Sequence, residues 1–578
     1  MAQSQEAKQP KVLIIGLDGA TFDVIKPWVA TGQLPTFQQL LHEGTQAQLE
    51  STIPPITPPA WTSFMTGMNP GKHGLFNFTE YHPQNHSIRY ANASNRKVSS
   101  IWSLLSALDW SVGVINVPMT YPPEKVRGFC ISGLDTPDKD SEFVHPKWLK
   151  REIERDIGEI YLDLRHLGYM KTDDKRDKVL EEIIAIENRR TQIASYLIKK
   201  CPVDVMMLVY TATDTVQHFF WSYMDPAHPL YNAESAEKYR EAILKIYRVI
   251  DTNIAILLDT VPEDCVVIVL SDHGGGPVSG NVVHLNQYLH ELGVLTYKNG
   301  SGGTPGRLLQ RSISGLDGRL RGLLSPGQKA ALARMFPSLR ERWESYATAI
   351  TMIDWEKTQA YCLEFLAFPS EIWINLAGRT PQGRVRPGAD YEKLVEFLSD
   401  QLSNLRDQGT GHRLVQRVYR KDEVYHGPYV ADAPDLVFSW WDEAGLESRK
   451  SVLGATHPSL RTYTDAEGEL AASWSGTHRL HGILIMKGKP FRRGATLSRA
   501  HITDVAPTLL YLLGIPVPEE MDGQVLSEAF EDEFVASHPI QYHQGGLLMH
   551  GNTPVDAAYT AEETEKIQER LKGLGYID

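Results

Sequence analysis

The sequence predicts an α/β protein: an open, mostly parallel sheet with helices on both faces and a smaller α+β insertion. Three observations carry that prediction. The runs Val12-Leu13-Ile14-Ile15, Val205 to Tyr210, Val266 to Leu270 and Ile483 to Met486 are apolar throughout rather than alternating. Such runs suit strands buried on both faces, as in a parallel sheet covered by helices. Helical patterns lie between them: Leu180 to Lys200 is one, and Ala236 to Leu258 aligns Ile243, Ile246, Tyr247, Ile250, Ile254 and Leu257 on one stripe. Finally, the runs break off into polar residues, at Gly16-Leu17-Asp18-Gly19, at Asp214 and at Ser271-Asp272-His273. Reactive groups of open α/β sheets collect where strands end at the carboxyl edge, and three of the four runs place a carboxylate there.

Taken in order, these signals assign residues 11–298 and 442–530 to the α/β core. A flexible break, Asn299 to Gly306, opens a segment (299–352) expected to be a helical insertion or lid, rich in arginine from Arg307 to Arg342. Its bland reading is a solvated packing helix. From 353 to 441 the pattern changes to a small α+β insertion, with strands at Glu371 to Asn375 and Leu414 to Val418 around a helix near Tyr391 to Leu405. Residues 531–578 form a C-terminal extension whose stretch Ala561 to Leu574 reads as an amphipathic helix.

The bulk numbers narrow the function classes. The 578 residues are 42% hydrophobic and 22% charged, which is ordinary for a globular protein with ample core. A formal net charge of −13 gives no general reason to expect a nucleic-acid polymer or an anionic membrane as partner. The four cysteines, Cys130, Cys201, Cys265 and Cys362, show neither zinc-finger nor disulfide spacing. No apolar stretch approaches the roughly 20 residues needed to span a bilayer, so a cytoplasmic protein is expected.

The acidic residues and histidines at the loop positions form a distinct set: Asp18, the pair Asp214 and His218, the pair Asp272 and His273, and His478 in Ser475-Gly476-Thr477-His478. Mixed carboxylate and imidazole donors suit zinc or manganese better than magnesium or calcium. Taken singly, each has a commoner structural explanation, such as a helix cap or a hydrogen-bonded core histidine. A nucleophile is offered by Thr57, set among prolines in Ile53-Pro54-Pro55-Ile56-Thr57-Pro58-Pro59-Ala60-Trp61 before a helix expected over Ala60 to Met65. A helix N-terminus favours an anionic oxygen or phosphate.

The order Asp18, Thr57, Asp214/His218, Asp272/His273, His478 resembles the alkaline phosphatase superfamily. Within it, the chain is most similar to the type I phosphodiesterase/nucleotide pyrophosphatase branch and related bacterial phosphohydrolases and phosphomutases. Further likeness lies in Thr66-Gly67-Met68-Asn69-Pro70-Gly71-Lys72-His73-Gly74, Ala433-Pro434-Asp435-Leu436, Asp504-Val505-Ala506-Pro507-Thr508 and Met521-Asp522-Gly523. The resemblance implies two divalent metal ions, zinc by expectation with manganese or iron tolerated. Asp214, His218 and His478 would hold one, and Asp18, Asp272, His273 and the Thr57 oxygen the other. Such pairs lie about 3.5–4 Å apart and clamp the attacking and leaving oxygens of an in-line displacement. Thr57 is then the covalent nucleophile on a small phosphorylated substrate, a phosphodiester or relative, with Asn77 placed to contact a phosphate oxygen.

The chain also departs from the pattern. Nucleotide-cleaving relatives carry Thr-Phe-Pro-Asn-His at the nucleophile, where this chain has Thr57-Pro58-Pro59-Ala60-Trp61. No Cys-x-Pro-x-Arg-like motif stands there, which disfavours sulfate hydrolysis. Two alternatives stay open: a phosphomutase or phosphoryl transferase of the same superfamily, and a metal-binding scaffold without catalysis.

Overall fold

A computed structural model describes residues 10–164, 172–298, 352–364, 370–407, 409–442, 447–449, 459–462, 474–546 and 558–574. The Asn299 to Gly306 break and the arginine-rich stretch up to residue 351 lie outside the described residues. The centre is an eight-stranded sheet of β1 (Val12–Leu17), β2 (Thr45–Glu50), β3 (Val112–Ile115), β4 (Gly128–Ile131), β5 (Val144–His145), β6 (Val205–Tyr210), β7 (Val266–Leu270) and β8 (His481–Lys487). Their spatial order is β2-β8-β7-β1-β6-β3-β4-β5. The five strands from β7 to β4 run parallel, with β1 in register against β6 (Val12 opposite Val205) and β7 (Val12 opposite Val266). β8 lies antiparallel between β7 and β2, and β5 closes the other end antiparallel to β4.

All six residues of β1 and of β6 are buried, as continuous apolar runs require of strands covered on both faces. Alternate side chains enter different cores. Leu13, Ile15, Met206, Leu208, Val267 and Val269 pack beneath the helices Asp173–Lys200, Ala212–Met224 and Ala242–Leu258. Val12, Ile14, Val205, Met207, Val266 and Ile268 face the helices Thr57–Thr66, Ile101–Ala107 and Val505–Leu512. The helical pattern expected over Ala236 to Leu258 is two helices, Ala233–Tyr239 and Ala242–Leu258.

The insertion forms a third core around a four-stranded antiparallel sheet, Ala360–Tyr361, Glu371–Ile374, Leu436–Phe438 and Val418–Arg420 in spatial order, with the helix Ala389–Ser403 upon it. The strand expected at Leu414 to Val418 starts only at Val418: Leu414 and Val415 are buried in this core without ladder pairing, so their apolar character reports burial rather than a strand. Asp435 ties the layer together, accepting from the Ile374 amide and pairing with Arg379 and Lys421. The C-terminal helix Ala561–Leu574 returns to the main body. Its Ile567, Leu571 and Leu574 enter the first core, and Arg570 donates to the carbonyls of Leu134 and Thr136.

Candidate metal and phosphoryl-transfer site

The carboxyl edge of the sheet gathers the predicted residues. Asp18 follows β1 directly, its amide bonded to Tyr210 O at the end of β6. Gly19 takes a positive φ of 66°, and a Cβ there would stand 2.7 Å from Asp214 Oδ1, so only glycine lets the two loops approach. Asp214 and His218 lie one turn apart on Ala212–Met224, with His218 Nε2 3.1 Å from Asp214 Oδ2. Asp272 and His273 follow β7. His478 arrives on an antiparallel ribbon, Gly274–Pro277 with Gly476–Arg479, which sets Gly275 opposite His478. The ribbon brings the His273 and His478 rings into a stack 3.7 Å apart.

The three imidazoles share one anchoring device. Nδ1 of His218, His273 and His478 lies 2.8, 2.9 and 2.8 Å from the carbonyls of Gly476, Gly274 and Pro55 respectively. A carbonyl only accepts, so each Nδ1 carries a proton, and each ring's Nε2 faces inward, where an unprotonated nitrogen offers a lone pair to a cation. Burial, with His273 alongside, holds His478 well below the ordinary histidine range, in keeping with a neutral ring. The Nε2 atoms of His218 and His478 are 3.1 Å apart. Two facing lone pairs repel unless a cation sits between them, and two nitrogens on one tetrahedral zinc at about 2.0–2.1 Å lie roughly 3.3 Å apart.

The carboxylates point the same way. Asp18 Oδ1 and Asp272 Oδ2 are buried and accept no hydrogen bond among the described residues. Burial and the neighbouring Asp272 and Asp214 raise the Asp18 carboxyl well above the usual range, and burial raises Asp272 to about 6. Groups so disposed would be poor uncompensated anions and good ligands. Asp214, His218 and His478 form one group whose ligand atoms lie within 4.8 Å of one another; Asp18, Asp214 and His273 form a second. In this arrangement Asp214 reaches both groups, while Asp272 Oδ2 stands 3.3 Å from His273 Nε2 and Oδ1 accepts the Gly19 amide. The donor set fits two borderline divalent cations.

Thr57 is fully buried and is the first residue of the helix Thr57–Thr66, one residue inside the helix rather than before it. Its Oγ1 lies 3.4 Å from His273 Nε2. Pro58 and Pro59 have no N–H and the Ala60 amide bonds to Ile56 O. The helix dipole therefore faces the site, but of the first four residues only Thr57 keeps an amide hydrogen that the helix does not use.

Asn77, the expected phosphate contact, is hydrogen-bonded within the protein. Asn77 donates through Nδ2 to Glu371 of the insertion (2.8 Å) and accepts the Phe78 amide. It lines a cavity of about 130 Å³ that also touches Lys97, Trp373 and Asp432. Lys72 and His73 shape the loop after the helix Thr57–Thr66: Lys72 pairs with Asp522, and His73 Nε2 is 3.0 Å from Ser63 Oγ. Arg479 clamps the ribbon by donating to the carbonyls of His478 and Pro277. Two tryptophans escaped the sequence reading. Trp61 donates from Nε1 to Asp18 Oδ2 at 3.2 Å, and Trp474 stacks on His218 at 3.7 Å. Trp61 stands four residues, one helical turn, after Thr57, a spacing that was legible; Trp474 carried no comparable signal.

The fold and the site together define an α/β protein of the alkaline phosphatase superfamily with a candidate divalent-metal site at its sheet edge. The type I phosphodiesterase / nucleotide pyrophosphatase family matches residues 12–448, and this chain belongs to it. Among curated relatives, a 2,3-bisphosphoglycerate-independent phosphoglycerate mutase of Cereibacter sphaeroides is 38% identical over 82 residues, 14% of this chain and 15% of the mutase. The corresponding mutase of Dinoroseobacter shibae is 35% identical over 79 residues, 13% and 14% of the two chains. Among solved structures, human ectonucleotide pyrophosphatase / phosphodiesterase 5 aligns over 91% of this chain and 99% of its own at 14% identity, with a TM-score of 0.46. Phosphonoacetate hydrolase of Sinorhizobium meliloti, in complex with phosphonoformate, aligns over 88% and 97% at 12% identity, also with a TM-score of 0.46.

Proposed function

We propose that this protein is a metal-dependent phosphoric ester hydrolase that cleaves a phosphodiester or related phosphoryl substrate through a covalent phosphothreonine at Thr57. The observation that carries the reading is the Thr57 hydroxyl, 3.4 Å from His273 Nε2 and set at a helix N-terminus beside the inward-turned imidazoles and unpartnered carboxylate oxygens. Asp214, His218 and His478 would hold one cation, and Asp18, Asp272 and His273 with the Thr57 oxygen the other, zinc first with manganese or iron tolerated. When bound, the cations supply Lewis acidity that lowers the hydroxyl pKa and offsets the charge gathering on phosphorus oxygens.

The chain's own groups then have defined work. Thr57 Oγ bonds to phosphorus as the bond to the leaving oxygen breaks, and the hydroxyl proton is balanced by the one the leaving alcohol takes up. Water next attacks phosphorus, the bond to Thr57 Oγ breaks, and the hydroxyl is regenerated. For a diester the sum is diester plus water giving an alcohol plus a phosphate monoester. The dipole of Thr57–Thr66 favours the anionic group, and Trp61 holds the orientation of Asp18. The short likeness to phosphoglycerate mutases supports a second reading, transfer of the phosphoryl group to an acceptor other than water.

The deciding experiment compares bis-p-nitrophenyl phosphate with p-nitrophenyl phosphate on metal-reconstituted protein, with Thr57→Ala as control. Thr57-dependent preference for the diester is expected. Turnover that survives in Thr57→Ala would exclude the covalent route, and isomerisation of a sugar phosphate without phosphate release would favour the mutase.

A further inference from the structure

Behind the metal centre lies a buried charge network that this mechanism does not use. Asp163, Glu187 and Arg190 are 5%, 2% and 4% exposed. Arg190 Nη2 donates to Asp163 Oδ1 at 2.8 Å, and Nη1 to Glu187 Oε2. The free oxygen of Glu187 does something else: Oε1 accepts the amides of Thr211 (3.0 Å) and Ala212 (2.8 Å). Those amides open the helix Ala212–Met224, whose N-cap Thr211 makes no side-chain capping bond of its own. Thr211 Oγ1 turns instead to Asp163 Oδ1 at 2.6 Å. The cap of the helix that carries Asp214 and His218 is thus supplied from Asp173–Lys200. On its far side the network meets a cavity of about 20 Å³ that also touches Asp18, Thr215 and Leu574. That is room for about one water, and Asp163, which lines it, has its Oδ2 buried with no hydrogen-bond partner among the described residues.

We propose that Glu187, held by Arg190 and Asp163, is a positioning residue for the metal centre: by capping Ala212–Met224 it sets the height and rotation at which Asp214 and His218 meet His478. This rests on the metal-site reading above. The physical case is that a single carboxylate oxygen fixes the first turn of a helix, and both ligands lie within its first two turns. Groups that orient ligands typically cost 10–100-fold in metal affinity when removed. A network kept for stability alone would not need such a geometry, because buried ion pairs are often replaceable by apolar residues of similar volume without loss.

The test is a zinc titration of metal-free full-length protein against a competing chromophoric chelator, with the melting temperature of the metal-free form measured beside it. Glu187→Met should weaken one of the two zinc equivalents by 10–100-fold, and Glu187→Gln, which keeps an acceptor for the two amides, should restore it to within a few-fold. A charge-free variant, Glu187→Met with Arg190→Met and Asp163→Asn, guards against misfolding from a lone buried charge. It should keep the metal-free melting temperature within a few degrees of wild type while zinc binding stays weak. Wild-type affinity in that variant overturns the proposal and leaves the metal site standing. Absence of zinc binding by the wild-type protein overturns both.

Discussion

Thr57→Ala removes a hydroxyl and a methyl from a fully buried position at the start of the helix Thr57–Thr66. Turnover of the preferred ester should fall by roughly a thousandfold or more, while metal stoichiometry and melting temperature stay near wild type; steady-state rates and elemental analysis check both. Asp272→Asn and His478→Ala should each lower metal content as well as rate. Asp272→Asn should also reverse sign when the metal is stripped. In the metal-free protein burial raises this carboxyl to about 6 from 3.8. The stability it contributes is therefore fully present below the unfolded pKa and lost as pH rises through about 6. An asparagine cannot charge, so the metal-free variant should melt above metal-free wild type at pH 7 and converge with it near pH 4. The candidate ligands Asp18, Asp214 and Asp272 are marked in the sequence by the end of an apolar run, whereas His478 stands just before one. Of the two tryptophans, Trp61 is marked only by its one-turn spacing from Thr57, and Trp474 by nothing local, since its 3.7 Å stack on His218 joins segments 256 positions apart.

At the scale of elements, the strand Glu371–Ile374 buries a carboxylate against Asn77, which burial raises from 4.5 to about 7. Its contribution to stability is present below the unfolded pKa and disappears as pH rises through about 7, a span worth roughly 3 kcal/mol. Glu371→Gln keeps an acceptor for Asn77 and cannot charge. Its advantage in melting temperature over wild type should therefore grow from pH 5 to pH 8. The C-terminal helix offers a second test. Ile567, Leu571 and Leu574 are 3–6% exposed, and each buried side chain of this kind contributes roughly 1.5–3 kcal/mol. Deleting residues 558–578 should lower the denaturant midpoint measurably, since it uncovers the face around Leu134 and Thr136 as well. Elements were read well where periodicity and burial agree, as in β1, β6 and β7. They were read less well where apolar residues are buried without regular pairing: Leu414 and Val415 mimic a strand, and Arg240 and Glu241 separate two helices inside one continuous stripe.

For the molecule as a whole, the candidate ligands come from five separate stretches of chain and depend on the fold to meet. Anything that binds only the folded state stabilises it by mass action, about 2.7 kcal/mol at a free concentration one hundred times Kd. Stripping the metal with a chelator should therefore lower the melting temperature, and zinc added back should restore it in the wild type but much less in His478→Ala. The parallel sheet and the residues at its edge could be inferred from one chain because both are written locally, as run and stop. The joint between sheet and insertion could not, since pairs such as Asn77 with Glu371 link positions far apart in sequence and leave no periodic trace.

The position of β8 has a consequence for how the protein is made. Residues His481–Lys487 are the last of the eight strands to leave the ribosome, yet they take a place inside the sheet, between β7 and β2. Until they emerge, a nascent chain holds both neighbours as open edges, the kind of surface that pairs with other chains. His478 emerges just before them, so the metal centre cannot be completed during early synthesis. On the proposed metal site, loading follows the emergence of His478, and through the stretch of translation between β7 and β8 two strand edges stay open.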